Sequence, residues 1–267
     1  MKVAIYQGQG KLAQVHANLE IIRQAAFSAV KQGAELILFP EMFLTGYNIG
    51  EAVFDLAEPT DGPAAQKASA IAREANIALL YGYPEKFETH TYNSAILIDQ
   101  YGSTLASYRK THLYGNFENR CFQPGDSLML AKLNGLTIGI LICYDVEFPE
   151  AVRALTMAGA DFIAVPTALM KPYCQIANHV VPARAYENEI YVAYVNRCGV
   201  EGRLEYCGLS CIIGPDGSEI IRAGSQEALL IADIDKLKIE EMRKKNPVLG
   251  DRRPEVYDKL VKVFSGS

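Results

Sequence analysis

The stretch Asn134–Glu150, NGLTIGILICYDVEFPE, constrains the fold more than any other part of the chain. Asn134-Gly135 is the dipeptide favoured at the centre of a two-residue hairpin, because both positions there need positive φ. It predicts that Leu128–Leu133 and Leu136–Cys143 pair antiparallel. Leu136–Cys143 is also an almost unbroken apolar run, the pattern of a strand buried on both faces. After Cys143 the pattern changes at once, through Tyr144-Asp145-Val146-Glu147-Phe148-Pro149, into helical spacing over Glu150–Ala158. A Pro in the first turn and acids beside it are helix-start signals. Cys143 is therefore expected on a tight strand-to-helix turn, its sulfur at the mouth of the next helix. Unpaired N–H groups there favour a thiolate.

The rest of the chain alternates in the same way. Strands are expected at Val3–Gln7, Glu35–Phe39, Ile77–Tyr83, Asp161–Val165, Ile190–Asn196 and Ser210–Gly214, with Leu229–Asp233 as the last central strand. Leu19, Ile22, Ala26 and Val30 mark one face of a first helix, and Gly62–Ala75 reads as a second, capped by Asp61 ahead of Pro63. Val181–Asn188 and Asp235–Lys244 read as further helices. Hairpins intrude at Asp99-Gln-Tyr-Gly102, between Tyr92–Ile98 and Thr104–Lys110, and again at Pro215-Asp-Gly217. They exclude a purely parallel sheet. Two sheets packed face to face with helices outside fit this order, as does a single mixed sheet.

With 267 residues, about half of them apolar, and no linker or charge block, the chain is read as one domain spanning 1–267. A net charge of −5 gives no reason to expect nucleic acid or an acidic membrane as partner. The N-terminus MKVAIYQG enters a strand directly, with no signal-peptide core, and no apolar run is long enough to span a bilayer. A cytoplasmic location is expected, with all six cysteines as free thiols. Cys207 and Cys211 lack a nearby His or second cysteine pair and are read as structural, so no metal site is expected.

A cysteine alone is most often a small buried hydrophobe. Cys143 has company at the ends of two other apolar strands: Glu35–Phe39 runs into Pro40-Glu41 and Ser103–Tyr108 runs into Arg109-Lys110. A carboxylate, an ammonium and a thiol are thus expected at three adjacent strand tips, the end of an α/β sheet where sites form. Singly, Glu41 could be a loop cap and Lys110 a solvated charge; together they can support nucleophilic catalysis.

Three segments, FPEMFLTGY (Phe39–Tyr47), YRKTHLYG (Tyr108–Gly115) and LICYDVEFPE (Leu141–Glu150), resemble the signature segments of the nitrilase, or carbon–nitrogen hydrolase, superfamily. The resemblance extends to the tail NPVLGDRRPEVY (Asn246–Tyr257) and is nearest to the amidase branch that includes 5-aminopentanamidase. It implies an α/β fold of α+β type, a four-layer α-β-β-α sandwich of two mixed sheets. It also implies a homodimer, or higher homo-oligomer, paired through Glu150–Ala158 and Val181–Asn188. The implied chemistry needs no cofactor: Glu41 as proton shuttle, Cys143 as nucleophile, and Lys110 with the backbone N–H of Tyr144 at the oxyanion. Glu118, eight residues after Lys110, matches a second glutamate that helps position substrate, though a solvated loop acid fits equally well.

The implied partner is a small amide, foremost 5-aminopentanamide; N-carbamoylputrescine and simple amides or nitriles are alternatives. Loops expected to wall its pocket supply Tyr47, Tyr114, Glu147, Thr167, Met170 and Tyr173. Three acids, Glu118, Asp145 and Glu147, are expected to face a remote ammonium, against Lys171 as the extra cation. Two rival readings leave the trio unexplained. Gly8–Ala13 mimics the dinucleotide fingerprint G-x-G-x-x-A, but Lys11 fills the tight loop. A Cys–His protease would need His112 or His179, and His179 sits beside a predicted helix, where it is read as surface or packing.

Overall fold

The first four strands of the chain bury alternate residues against two different layers. The computed structural model, which describes residues 1–257, begins with β1 (Lys2–Gln7), α1 (Val15–Val30), β2 (Leu36–Leu38), α2 (Ala52–Leu56) and α3 (Pro63–Ala75). Then follow β3 (Ala78–Phe87), β4 (His90–Ile98), β5 (Thr104–Arg109) and α4 (Gly115–Cys121). The domain read as 1–267 runs on into 258–267, outside the described residues. Val3, Ile5, Leu36, Leu38, Leu80 and Leu97 join one apolar cluster with the second sheet, whereas Ala4, Ile37, Leu79 and Ile96 join another with Leu19, Ile22, Ala68 and Ala72 of α1 and α3. The two-residue strand period does this sorting.

The second half comprises β6 (Met129–Leu133), β7 (Leu136–Ile140), α5 (Pro149–Met157), β8 (Phe162–Pro166), α6 (Val181–Asn188) and β9 (Tyr191–Val195). It continues through β10 (Val200–Glu201), β11 (Leu204–Glu205), β12 (Cys211–Ile213), β13 (Glu219–Arg222), β14 (Ala228–Asp233) and α7 (Lys236–Lys245). The strands form two six-stranded sheets, ordered β14-β1-β2-β3-β4-β5 and β13-β12-β9-β8-β7-β6. In each, three parallel strands are flanked by antiparallel ones, so both sheets are mixed. The sheets face each other, with α1 and α3 outside the first and α5 and α6 outside the second. This is the expected four-layer arrangement. Burying each large aliphatic side chain of these layers contributes roughly 1.5–3 kcal/mol.

The Asn134-Gly135 hairpin forms in register, Leu133 opposite Leu136. Three local readings need correction. Asp61 does not cap α3: the Ala64 N–H donates to Glu58 Oε2 at 2.7 Å instead. β14 is not central, because it pairs only with β1 at the sheet's edge. The expected Ile77–Tyr83 strand runs on to Phe87 and turns back through Glu88, at φ 53°, into β4. Among the described residues no helix is long and apolar enough to cross a membrane.

Candidate active site

Glu41 follows β2, Lys110 directly follows β5, and Cys143 lies three residues past the end of β7. The expected adjacency of these tips is absent, since β3 and β4 separate β2 from β5 and Cys143 belongs to the other sheet. Side chains close the gap. Lys110 Nζ and Asn93 Nδ2, the latter from β4, each donate to Glu41 Oε1 at 2.7 Å. Gly82 on β3 lets the Glu41 segment cross closely: a Cβ there would lie 2.4 Å from Met42 N and 2.8 Å from Glu41 Cα. A buried Arg197, just past β9, donates to the Glu41 carbonyl at 3.1 Å and pairs with Glu201, which also accepts from the N–H groups of Tyr47 and Asn48.

Glu118 is no solvated loop acid. It is fully buried, and its Oε1 accepts from Lys110 Nζ and Tyr47 Oη at 2.7 Å while Oε2 accepts from the Tyr114 N–H at 2.9 Å. Two carboxylates thus share one ammonium out of water. Burial raises the Glu41 pKa above the ordinary glutamate value; Lys110 opposes this and the Glu118 charge adds to it. Burial alone would lower Lys110, but Glu118 and Glu41 outweigh it and hold it well above an ordinary lysine. Glu41 Oε2, also buried, has no hydrogen-bond partner among the described residues. That lone oxygen can take up a proton.

Cys143 opens a five-residue 3-10 turn, Cys143–Glu147, and takes φ 47°. The sulfur therefore sits at this turn and not at the mouth of α5, which begins at Pro149. A non-glycine residue in that left-handed region costs roughly 1–2 kcal/mol, and Asp145 stabilises it there. Asp145 Oδ2 accepts from the Ile142 N–H at 3.0 Å and Tyr108 Oη at 2.8 Å. Its Oδ1 accepts from Thr111 Oγ1 and the His112 N–H, both at 2.9 Å, and lies 2.8 Å from His112 Nδ1. Burial and the Glu41 charge raise the Cys143 pKa, while Lys110 and the Ala168 N–H act the other way without cancelling them. The resting sulfur is a thiol, not the expected thiolate, so reaction requires a base.

A cavity of about 280 Å³ opens onto Cys143. Tyr47, Tyr114, Glu147, Met170 and Tyr173 line it, together with Tyr144, Ala168 and Leu169. Thr167 is not part of this wall: it is fully buried, and its carbonyl accepts from the Glu41 N–H at 3.3 Å. Asp145 is consumed by the network above, and the exposed Lys171 pairs with Glu205. Neither reads the cavity. Asn196 holds the Leu169 backbone through both its N–H and its carbonyl, at 2.7 and 3.1 Å. Cys174 and Cys207 form a disulfide, with Cα atoms 5.7 Å apart, so the expectation of six free thiols fails. Cysteines 33 positions apart meet here because Leu169–Lys171 lies along Glu205–Cys207.

The rival readings lose their geometry. The Lys11 N–H, which a pyrophosphate at Gly8–Ala13 would need, donates to Asn18 Oδ1 at 2.7 Å. His112 is engaged with Asp145 and stacked on Phe148, ring centroids 3.8 Å apart, while His179 is exposed. Among the described residues no group of three or more His, Cys, Asp or Glu side chains is placed to hold a metal ion.

Comparison with known proteins agrees with this geometry. Residues 2–244 match the family model described as carbon-nitrogen hydrolase. The chain is 50% identical over 265 residues to the protein named "Hydrolase in pqqF 5'region" of Pseudomonas protegens, covering 98% of this chain and 92% of that one. It superposes on the NitN amidase of Nesterenkonia sp. AN1 with a TM-score of 0.88 at 35% identity, covering 97% of this chain and 99% of the other. A glutamate-to-glutamine variant of the Nesterenkonia amidase carries the acetamide moiety of fluoroacetamide added covalently at its active-site cysteine (TM-score 0.87, 35% identity, 97% and 96% covered). A matched domain running through both sheets, on a chain that buries a carboxylate and an ammonium beside a cysteine, makes this protein a member of the carbon–nitrogen hydrolase family, related to its amidases.

Proposed function

We propose that the protein hydrolyses a short aliphatic amide bearing a terminal amine, 5-aminopentanamide foremost, to the amino acid and ammonia through a thioester on Cys143. The observation that carries this reading is the buried Glu41 Oε2, unpartnered among the described residues, beside a Lys110 ammonium already bound to Oε1. Glu41 takes the Cys143 proton as the sulfur bonds to the amide carbon, and the carbonyl π electrons move onto oxygen. Lys110 and the Tyr144 N–H stabilise that oxyanion, each such donor contributing roughly 3 kcal/mol. The C–N bond then breaks and the nitrogen leaves as ammonia with the proton held by Glu41. In the second half Glu41 activates a water, which attacks the thioester and releases the acid and the thiol. Glu118, whose Oε1 accepts from Lys110 Nζ, holds that ammonium in place.

Homodimerisation through α5 and α6, which expose Met157 and Tyr186, belongs to the same reading. The test is ammonia release from a panel of linear amides and nitriles, with intact-mass detection of the acyl adduct after acid quench. Cys143→Ser should lose both turnover and adduct. An adduct on another cysteine, or turnover surviving in folded Cys143→Ser, would reject it.

A further inference from the structure

Of the three acids expected to face the far end of a substrate, two are committed elsewhere. Glu118 is bonded through both oxygens within the charged cluster, and Asp145 holds the nucleophile turn. Glu147 remains. It lines the cavity, and among the described residues no side chain donates a hydrogen bond to its carboxylate. Arg184, whose charge reaches it, has turned its guanidinium to the Glu147 and Val146 carbonyls at 2.8 and 2.9 Å and to Glu187 at 3.0 Å. Burial accordingly raises the Glu147 pKa, with Arg184 and Lys110 only partly offsetting it. A half-buried carboxylate with no cation hydrogen-bonded to it gains most when the cation arrives with the ligand.

The cavity's other walls suit a cation as well. Tyr114, Tyr144 and Tyr173 all line it, with Tyr114 packed T-shaped against the other two at centroid distances of 5.3 and 6.3 Å. Ring faces attract ammonium groups. The length of the turn sets the reach. Four residues of 3-10 helix advance about 8 Å from Cys143 to Glu147, and a five-bond alkyl chain from amide carbon to amine nitrogen spans about 6 Å at ordinary bond lengths. The remainder is within the reach of one glutamate side chain.

We propose that Glu147 is the specificity-determining residue, receiving the remote ammonium of an ω-amino amide while its amide carbon meets Cys143. This rests on the amidase reading above. Chains two methylenes shorter would leave the ammonium short of the carboxylate, and a remote carboxylate would be repelled by it.

The test compares kcat/KM for 5-aminopentanamide with that for hexanamide, in which a methyl group replaces the ammonium, in the native protein and in Glu147→Gln. A charge-assisted contact of this kind predicts a preference for the amino compound on the order of ten- to a hundredfold. That ratio should collapse toward one in Glu147→Gln, through KM of the amino compound. Glu147→Lys should shift the preference to glutaramate. If the native protein prefers hexanamide, or Glu147→Gln keeps the ratio or lowers both substrates in proportion, the assignment is wrong. If the native protein releases ammonia from neither amide, the amidase reading fails first, which is a separate outcome.

Discussion

Asp145→Asn should damage stability and turnover together, because one carboxylate joins the nucleophile turn to the segment that carries Lys110. Asp145 Oδ1 serves Thr111 and His112 and Oδ2 serves Tyr108 and Ile142, all within 3.0 Å. An asparagine fits the same volume, but its NH2 must replace one of the two oxygens. Whichever way the amide turns, that NH2 faces a backbone N–H, of Ile142 or of His112, that cannot rotate away. A buried donor left unsatisfied costs about 1–3 kcal/mol. The surviving bonds also lose the charge assistance that makes carboxylate bonds roughly twice as strong as neutral ones. Together these effects put the loss at about 3–4 kcal/mol. Urea unfolding at fixed temperature, comparing midpoints at unchanged slope, measures it. Ammonia release measures the second effect, an expected fall in kcat of more than about tenfold as Cys143 relaxes from its left-handed backbone. A loss below about 1 kcal/mol with full turnover would refute the reasoning.

Four further outcomes are expected. The acid limb of kcat/KM should lie above the ordinary glutamate range: burial raises the Glu41 pKa, and below it Oε2 is protonated and cannot accept the thiol proton, so activity climbs as pH rises through it. Glu118→Gln removes a negative neighbour and should move that limb to lower pH; an upward move contradicts the charge argument. Gly82→Ala forces its new Cβ against Met42 N and Glu41 Cα, and should cost about 1–3 kcal/mol of stability and a far larger share of kcat than of KM, read by denaturation and steady-state kinetics. Without reductant, denatured protein should offer four thiols to Ellman's reagent (Cys121, Cys143, Cys198 and Cys211), and replacing Cys174 and Cys207 by serine should lower stability by about 3–4 kcal/mol on the chain-entropy account; six reactive thiols would exclude the bridge.

The elements that sequence reading located best are those specified by neighbours along the chain. Asn134-Gly135 specifies its own turn, and the Val181–Asn188 helix has the boundaries its pattern indicates. The signature segments carried Glu41, Lys110 and Cys143, and the spacing from Lys110 pointed to Glu118. Asp145 illustrates where such reading fails. Its position in the nucleophile turn suggested a pocket acid, but its partners Tyr108, Thr111 and His112 lie more than thirty residues back, as the 33 positions to His112 attest. An acid two residues past the expected strand end at Cys143, followed by a helix, is itself a capping signal that could have identified it.

What the sequence determined by itself is the inventory: two sets of alternating strands, the turns that join them, and three reactive side chain types at strand ends. Those follow from local periodicity and backbone preference, which act over a few residues. Only the tertiary structure decided which oxygens are free. Asn93 against Glu41 joins two strands of one sheet and Cys174 against Cys207 joins two loops, while Arg197 against the Glu41 carbonyl 156 positions away and Tyr108 against Asp145 are pairings made by two sheets closing face to face. Tertiary packing consumed Glu118 and Asp145 and, among the described residues, left Glu41 Oε2 and the Glu147 carboxylate without donors, because a buried charge takes whichever partner packing brings within about 3 Å.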